Sequence, residues 1–287
     1  MNNFKYFIQY ILIIFLFSVF KLLGIKFARI LSGKIFSFIG PLFRSNSLSH
    51  KNLLRAFPVS NLDERKKILK KMWINYGYIF AEYMFIKDFR NNSNFKKNLI
   101  IENQEDLEKI KKDSKPVIFI SGHFNNFELM AMYLEKSGLD LAAIYRPLNN
   151  KYLNNLMEKI RKKYICKKQV KKGISGTKDL LKSFKNGTSI ALMIDQRVSE
   201  GIKSNFFDTE ASTTTIPAQF VKKFRAKVVP IYIERIKNNN FRLVVHKPIF
   251  FSNNDSIEHI TLSLNKILEE MIIKNPEQWI WTHNRWK

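Results

Sequence analysis

An α/β sandwich is the fold class this sequence predicts, and three observations carry the prediction. Between residues 98 and 287, short β-branched apolar runs alternate with longer stretches of helical period. Gly, Asn, Asp and Pro bound many of these runs, as they do where a chain turns out of a strand. One long apolar stretch near the start stands apart from the alternation. One catalytic-size domain, residues 98–287, is therefore expected behind an N-terminal helix, residues 1–26, and a helical segment, residues 27–97.

Residues 4–23 are apolar except for Lys5, Gln9, Ser18 and Lys21, and a helix of about 20 such residues matches the thickness of a bilayer. The small-residue cleavage site of a signal peptide is missing. Lys21, Lys26, Arg29 and Lys34 follow the stretch, against Lys5 alone before it, and the positive-inside rule then leaves the rest of the chain in the cytoplasm. A helix lying in the membrane interface would satisfy the same pattern, as would a buried amphipathic one.

Residues 27–57 mix apolar and basic side chains up to Pro58, which suits one or two membrane-proximal helices. Asn61-Leu62-Asp63-Glu64 announces the next helix, whose Ile68, Leu69, Met72, Trp73, Tyr76 and Ile79 form a stripe at three- and four-residue spacing. Such a stripe is core. A polar break over residues 90–97 separates it from the alternating part. There, residues 117–121, 141–145, 188–194, 227–234 and 241–246 read as strands; 126–137, 150–163, 175–186, 213–224 and 256–274 read as helices.

Composition narrows the function. With 45% hydrophobic and 14% aromatic residues the chain can build a core, and the 49 basic against 24 acidic residues leave a net charge of +25. An excess this large implies an anionic partner: nucleic acid, anionic lipid or an acidic protein. The apolar N-terminal stretch argues against nucleic acid, as does the lack of any zinc, RNP or basic-zipper motif. The single Cys166 excludes a disulfide framework and a cysteine zinc site, and no His pair has metal-ligand spacing, so neither a metal nor another cofactor is expected.

Pro116-Val117-Ile118-Phe119-Ile120 reads as a buried strand stopped by Ser121-Gly122, with a helix opening near Asn125 or Asn126. His123 then stands at a strand's carboxyl end, where open α/β sheets bind ligands, and Gly122 lets the backbone pass close to a reacting group. Glu128 follows five residues later. On one continuous helix the two side chains would lie about 140° apart. With His123 on the turn and Glu128 in the first helical turn, the carboxylate is expected to reach one ring nitrogen while the other faces substrate, the arrangement of a general base.

Arg146 in Tyr145-Arg146-Pro147 ends the second strand on the same rim, where its planar fork suits a phosphate or a carboxylate on the protein itself. Arg161 closes the basic helix Lys159-Ile160-Arg161-Lys162-Lys163. Asp195-Gln196 end the strand of residues 188–194; Asp195 is placed to bind Arg146, a sugar hydroxyl or the next turn's amides. Beyond Phe206-Phe207, Thr213-Thr214-Thr215-Ile216-Pro217 reads as a helix start presenting hydroxyls and free amides. Cys166, in a basic strand-like tract with no partnered His, is a poor nucleophile candidate.

Taken in this order, Gly122-His123-Phe124 with Glu128, Tyr145-Arg146-Pro147, Arg161, Asp195-Gln196, Phe206-Phe207, the Thr-rich start and the closing Asn275-Pro276-Glu277-Gln278-Trp279 resemble the lipid A late acyltransferase family. These are lauroyl and myristoyl transferases within the lysophospholipid acyltransferase-like superfamily. The resemblance implies a glycerol-3-phosphate acyltransferase-like α/β sandwich with a mixed central sheet behind an N-terminal membrane helix. It also implies transfer of an acyl chain from acyl carrier protein to a hydroxyl of a lipid A precursor at the bacterial inner membrane. His123 would be the base and Glu128 its partner, with Arg146, Arg161, Asp195, Gln196, Thr213 and Thr214 as substrate contacts. A thioester donor is already activated, so no metal or covalent intermediate is required. Another glycolipid or a lysophospholipid is the alternative acceptor. The positive charge would then serve the acidic carrier protein, the anionic membrane and the acceptor's phosphates.

Overall fold

The computed structural model describes residues 2–91 and 99–287; the expected polar break lies outside them from residue 92 to residue 97. Among the described residues, nine strands form two sheets. The larger has the order β1-β9-β8-β2-β5-β3-β4, from β1 (Leu99–Glu102), β2 (Ile118–Ser121), β3 (Leu141–Tyr145), β4 (Lys168–Lys171), β5 (Ser189–Met193), β8 (Val228–Arg235) and β9 (Phe241–Val245). β8, β2, β5, β3 and β4 run parallel to one another; β9 runs antiparallel to β8, and β1 parallel to β9, so the sheet is mixed. The carboxyl ends of β2, β3, β5 and β8 consequently share one rim.

Side chains alternate across this sheet with the period of two that strands impose. Ile118, Ile120, Ile190 and Val228 pack on one face against α8 (Ile174–Lys185), α9 (Ile216–Phe224) and α10 (Ile257–Lys274). Phe119, Val229, Ile231 and Leu243 pack on the other with α5 (Gln104–Asp113), α6 (Glu128–Lys136) and the N-terminal helix. A parallel strand covered on both faces must be apolar throughout, which is why β2 reads as an unbroken run.

All five expected strands and all five expected helices of this part are present, with ends shifted by a few residues. Two differences matter. The segment through Phe206-Phe207 is a hairpin, β6 (Ile202–Phe206) and β7 (Thr209–Thr213), closed by Phe207 and Asp208 at φ 50° and 52°. A two-residue turn with both φ positive is ordinarily marked by Asn-Gly, and Phe-Asp carries no such mark. Thr213 therefore ends a strand, and α9 begins at Ile216 with Pro217 in its first turn.

Helix α3 (Leu62–Glu82) starts as its sequence dictates: Asn61 caps the Glu64 amide and the Glu64 carboxylate returns to the Asn61 amide. A short 3₁₀ turn and α4 (Ile86–Asn91) follow it. The N-terminal helix α1 (Asn2–Phe43) is two arms meeting at Gly24, whose φ of 72° and ψ of 161° break the helix. Phe17 and Phe36, one on each arm, both pack on the Phe80 ring, at 5.1 and 5.3 Å between centroids. A straight helix would hold those residues about 28 Å apart. The arms thus fold back on each other as a hairpin against α3, and α2 (Asn46–Ala56) leads from the hairpin to α3.

Candidate active site

His123 sits directly after β2 on the shared rim, with 23% of its side chain exposed. Its ring Nδ1 lies 2.7 Å from Asp195 Oδ1, and its backbone N–H donates to Asp195 Oδ2 at 2.8 Å. Asp195 follows β5, the strand hydrogen-bonded beside β2. The Asp195 carboxylate is fully buried and takes a third hydrogen bond, from Trp279 Nε1 at 2.9 Å. Among the described residues, His123 Nε2 has no hydrogen-bond partner.

The electrostatics follow from this geometry. Burial alone would lift the Asp195 carboxyl, but His123, by charge and hydrogen bonds, and Trp279 hold it down to about 2. Burial likewise presses the imidazole down; Asp195, with a smaller pull from Glu128, outweighs it and leaves His123 above its ordinary value. The pair can act as a base whose protonated form is stabilised from behind.

Glu128 is in the first turn of α6, as expected, but it does not hold the His123 ring. Its Oε1 accepts from Arg161 Nε at 2.8 Å and from the terminal guanidinium nitrogen at 2.5 Å. Arg161 is itself half-buried, and its guanidinium stacks over Tyr145 at 5.6 Å. Burial pushes the Arg161 guanidinium down, and Glu128 more than restores it. The expected His123–Glu128 hydrogen bond is replaced by two pairs, His123 with Asp195 and Glu128 with Arg161, because α6 opens at Glu128 and aims that side chain toward Arg161 at the end of α7 (Lys151–Ile160).

Among the other expected contacts, Arg146 is exposed at the end of β3 and has no ion pair among the described residues. Gln196 is half-buried beside Asp195. Asp195 itself offers no sugar hydroxyl a place, since His123 and Trp279 fill its oxygens. Thr213 is buried, accepting from Arg285 at 2.7 Å, and Thr214 Oγ1 accepts the Ile216 amide at 3.3 Å, so these two hydroxyls serve the fold. Cys166 is buried on the Leu141 carbonyl, and burial pushes its thiol up to about 11.

The turn that presents His123 is built tightly. A Cβ on Gly122 would meet the Phe124 ring at 3.0 Å and Asp195 Cβ at 3.3 Å, so the glycine is needed for close approach. Asn125 takes a positive φ of 43°, tolerable for Asn, and its side chain bonds Gln278, Arg235 and the Asn126 amide. Behind the turn lies Glu82, fully buried, accepting from Arg29, Arg235 and Asn126 at 2.6, 2.6 and 2.9 Å. Burial alone would lift the Glu82 carboxyl; Arg235 and Arg29 hold it below its usual range. This network joins α1, α3, β8 and the His123 turn. Its members are scattered over more than 200 residues of sequence, and no local pattern marks them. The signal for Asp195 was present, an acid ending a buried strand, but its partner depends on which strands are neighbours.

Comparison with known proteins finds similarity over nearly the whole chain. The family model described as bacterial lipid A biosynthesis acyltransferase matches residues 1–287. The lipid A biosynthesis palmitoleoyltransferase of Escherichia coli (strain K12) is 23% identical over 252 residues, 86% of this chain and 80% of that protein. The lipid A biosynthesis lauroyltransferase of the same organism is 23% identical over 253 residues, 85% and 79% of the two chains. A lipid A biosynthesis acyltransferase of Haemophilus influenzae is 24% identical over 262 residues, 89% and 81%. Among solved structures, the 1-acyl-sn-glycerophosphate acyltransferase PlsC of Thermotoga maritima aligns with a TM-score of 0.43 at 15% identity, covering 90% of this chain and 100% of that one.

Proposed function

This chain belongs to the bacterial lipid A biosynthesis acyltransferase family, and from that premise we propose that it moves a fatty acyl chain from an acyl carrier protein thioester to a hydroxyl of a lipid A precursor, at the cytoplasmic face of the inner membrane. One observation carries the mechanism: an imidazole at the carboxyl end of the central strand, fixed through Nδ1 by a buried carboxylate, with Nε2 unpaired among the described residues.

His123 Nε2 takes the proton of the acceptor hydroxyl while that oxygen attacks the thioester carbonyl. Asp195 holds the ring in the tautomer that leaves Nε2 basic and stabilises the imidazolium as it forms. The tetrahedral oxyanion collapses, the carbon–sulfur bond breaks, and the leaving thiolate takes the proton back from His123. Arg146, exposed on the same rim without an ion pair among the described residues, is assigned the anionic contact, to an acceptor phosphate or to the oxyanion. Glu128 assists indirectly: it pins Arg161 beside the site and adds negative potential at His123. Residues 98–287 form the catalytic unit, and the +25 charge supports an acidic donor protein and an anionic acceptor.

The test is acyl transfer from a set of acyl carrier protein thioesters to a lipid A precursor, read by mass spectrometry. Product from the wild type and a loss of roughly a hundredfold or more in His123→Ala are expected. Transfer only to another glycolipid or a lysophospholipid would overturn the acceptor assignment, and transfer indifferent to His123 would overturn the mechanism.

A further inference from the structure

We propose that the N-terminal hairpin lies in a single leaflet of an anionic bilayer and does not cross it, so that both ends of α1 stay on the side of the catalytic domain. The proposal concerns topology and stands apart from the identity of the acyl acceptor.

Composition alone favours a span: Asn3–Leu42 is long and apolar enough to cross a membrane. The contacts of the first arm argue otherwise. Near its start, the Tyr6 carbonyl accepts from Asn150 Nδ2 at 2.8 Å and Tyr10 packs on Tyr152 at 5.9 Å. Near its end, Lys21 Nζ pairs with Asp88 at 2.6 Å. Asn150 precedes α7 and Asp88 lies in α4, both part of the folded body. A spanning helix must carry one of its ends about 30 Å away through hydrocarbon. Here both ends are tied to the same body, and a crossing would drag Asp88 or the Asn150 turn into lipid with it.

The opposite faces of both arms are apolar and uncovered. On the first arm Phe4, Ile8, Phe15 and Leu22 recur at helical spacing, Leu22 with 89% of its surface exposed; on the second, Phe38 and Leu42 are 80% and 82% exposed. Charge identifies the occupant. The first Asp or Glu of the chain is Asp63, whereas Lys5, Lys26, Lys34 and Arg44 are exposed along the hairpin and just after it. An apolar face flanked by cations with no carboxylate fits the headgroup and upper acyl region of an anionic monolayer. The first arm packs beside the Asn150 turn, which follows the exposed Arg146 on the His123 rim. A lipid held in the leaflet can therefore reach the rim laterally without leaving the membrane surface.

The full chain carries one cysteine, the buried Cys166, so a single new cysteine reports its own side of the membrane. Asn3→Cys, near the start of α1, and Val59→Cys, at a fully exposed residue in the turn before α3, would be labelled with a membrane-impermeant maleimide in spheroplasts and in inside-out vesicles. Both are expected to label in inside-out vesicles and neither in spheroplasts. A second measurement is flotation with phosphatidylethanolamine vesicles containing phosphatidylglycerol. Leu12→Glu on the first arm and Phe38→Glu on the second are each expected to weaken binding by about tenfold or more, since each puts a charge where an apolar side chain met lipid. Both side chains are exposed, so neither substitution removes a core contact. Labelling of Asn3→Cys from the outer side would overturn the proposal, and so would undiminished vesicle binding by Phe38→Glu, the result a spanning first arm requires.

Discussion

Replacing Asp195 with Asn removes one charge from behind His123 and leaves the shape of the site nearly unchanged. In the native protein that carboxylate is buried, receives three hydrogen bonds and is held from 3.8 down to about 2. Such a fall means that folding favours the ionised form by about 2 kcal/mol. The sign is that of a depressed acid: the stabilisation is complete above the unfolded carboxylate's range near pH 4 and is lost as the pH falls toward about 2. An Asn cannot replace it: the His123 amide and the Trp279 indole both donate to Oδ2 and keep the Asn oxygen there, so its NH₂ faces His123 Nδ1 and holds the ring in the tautomer whose proton sits on Nε2. The catalytic effect is larger. The nascent imidazolium loses its counter-charge, and kcat is expected to drop by about 10³- to 10⁴-fold, the loss typical of a general-base histidine deprived of its carboxylate. The assay is acyl transfer across pH. In the wild type, activity rises with pH as His123 loses its proton, at a value above the ordinary 6.5. In Asp195→Asn that limb moves to lower pH, since burial and the Arg161 charge then act without Asp195's compensation. A variant within about fivefold of wild type, with its limb unmoved, would refute the reasoning.

Three further outcomes follow from the same contacts. Trp279→Phe deletes one donor to Asp195 and is expected to cost about 1–2 kcal/mol in chemical denaturation, with the kcat limb shifted less than in Asp195→Asn. Glu82→Gln leaves Arg29 and Arg235 buried without their counter-charge, a loss of about 3–5 kcal/mol by denaturation in detergent; in the wild type the carboxylate's contribution is present above its ordinary 4.5 and fades as the pH falls below it. Gly24→Ala has room for its Cβ but forces a backbone reserved for glycine, so about 1–3 kcal/mol of strain is expected at the hairpin turn, seen as a lower Tm.

What the sequence determined by itself is local. The β-branched runs specify β2, β3, β5, β8 and β9, the Asn61–Glu64 pair specifies where α3 starts, and the Ser121-Gly122 stop puts His123 at a strand end. Each depends on residues within a turn or two of one another, which is the range over which propensity, capping and periodicity act. The ordered motifs together also point to the acyltransferase family, which the whole-chain match shows. The tertiary structure alone decided which acid serves His123. Glu128 is five residues away and Asp195 seventy-two, yet β5 lies beside β2, and α6 turns Glu128 toward Arg161. The same is true of the Glu82 cluster and of the indole of Trp279, whose partners come from distant segments. The Phe207-Asp208 turn and the break at Gly24 escaped for a different reason. A positive φ at Phe207 and Asp208 is imposed by the pairing of β6 with β7. The fold at Gly24 is sustained by Phe80 packing both arms, and a lone glycine in an apolar helix does not announce it.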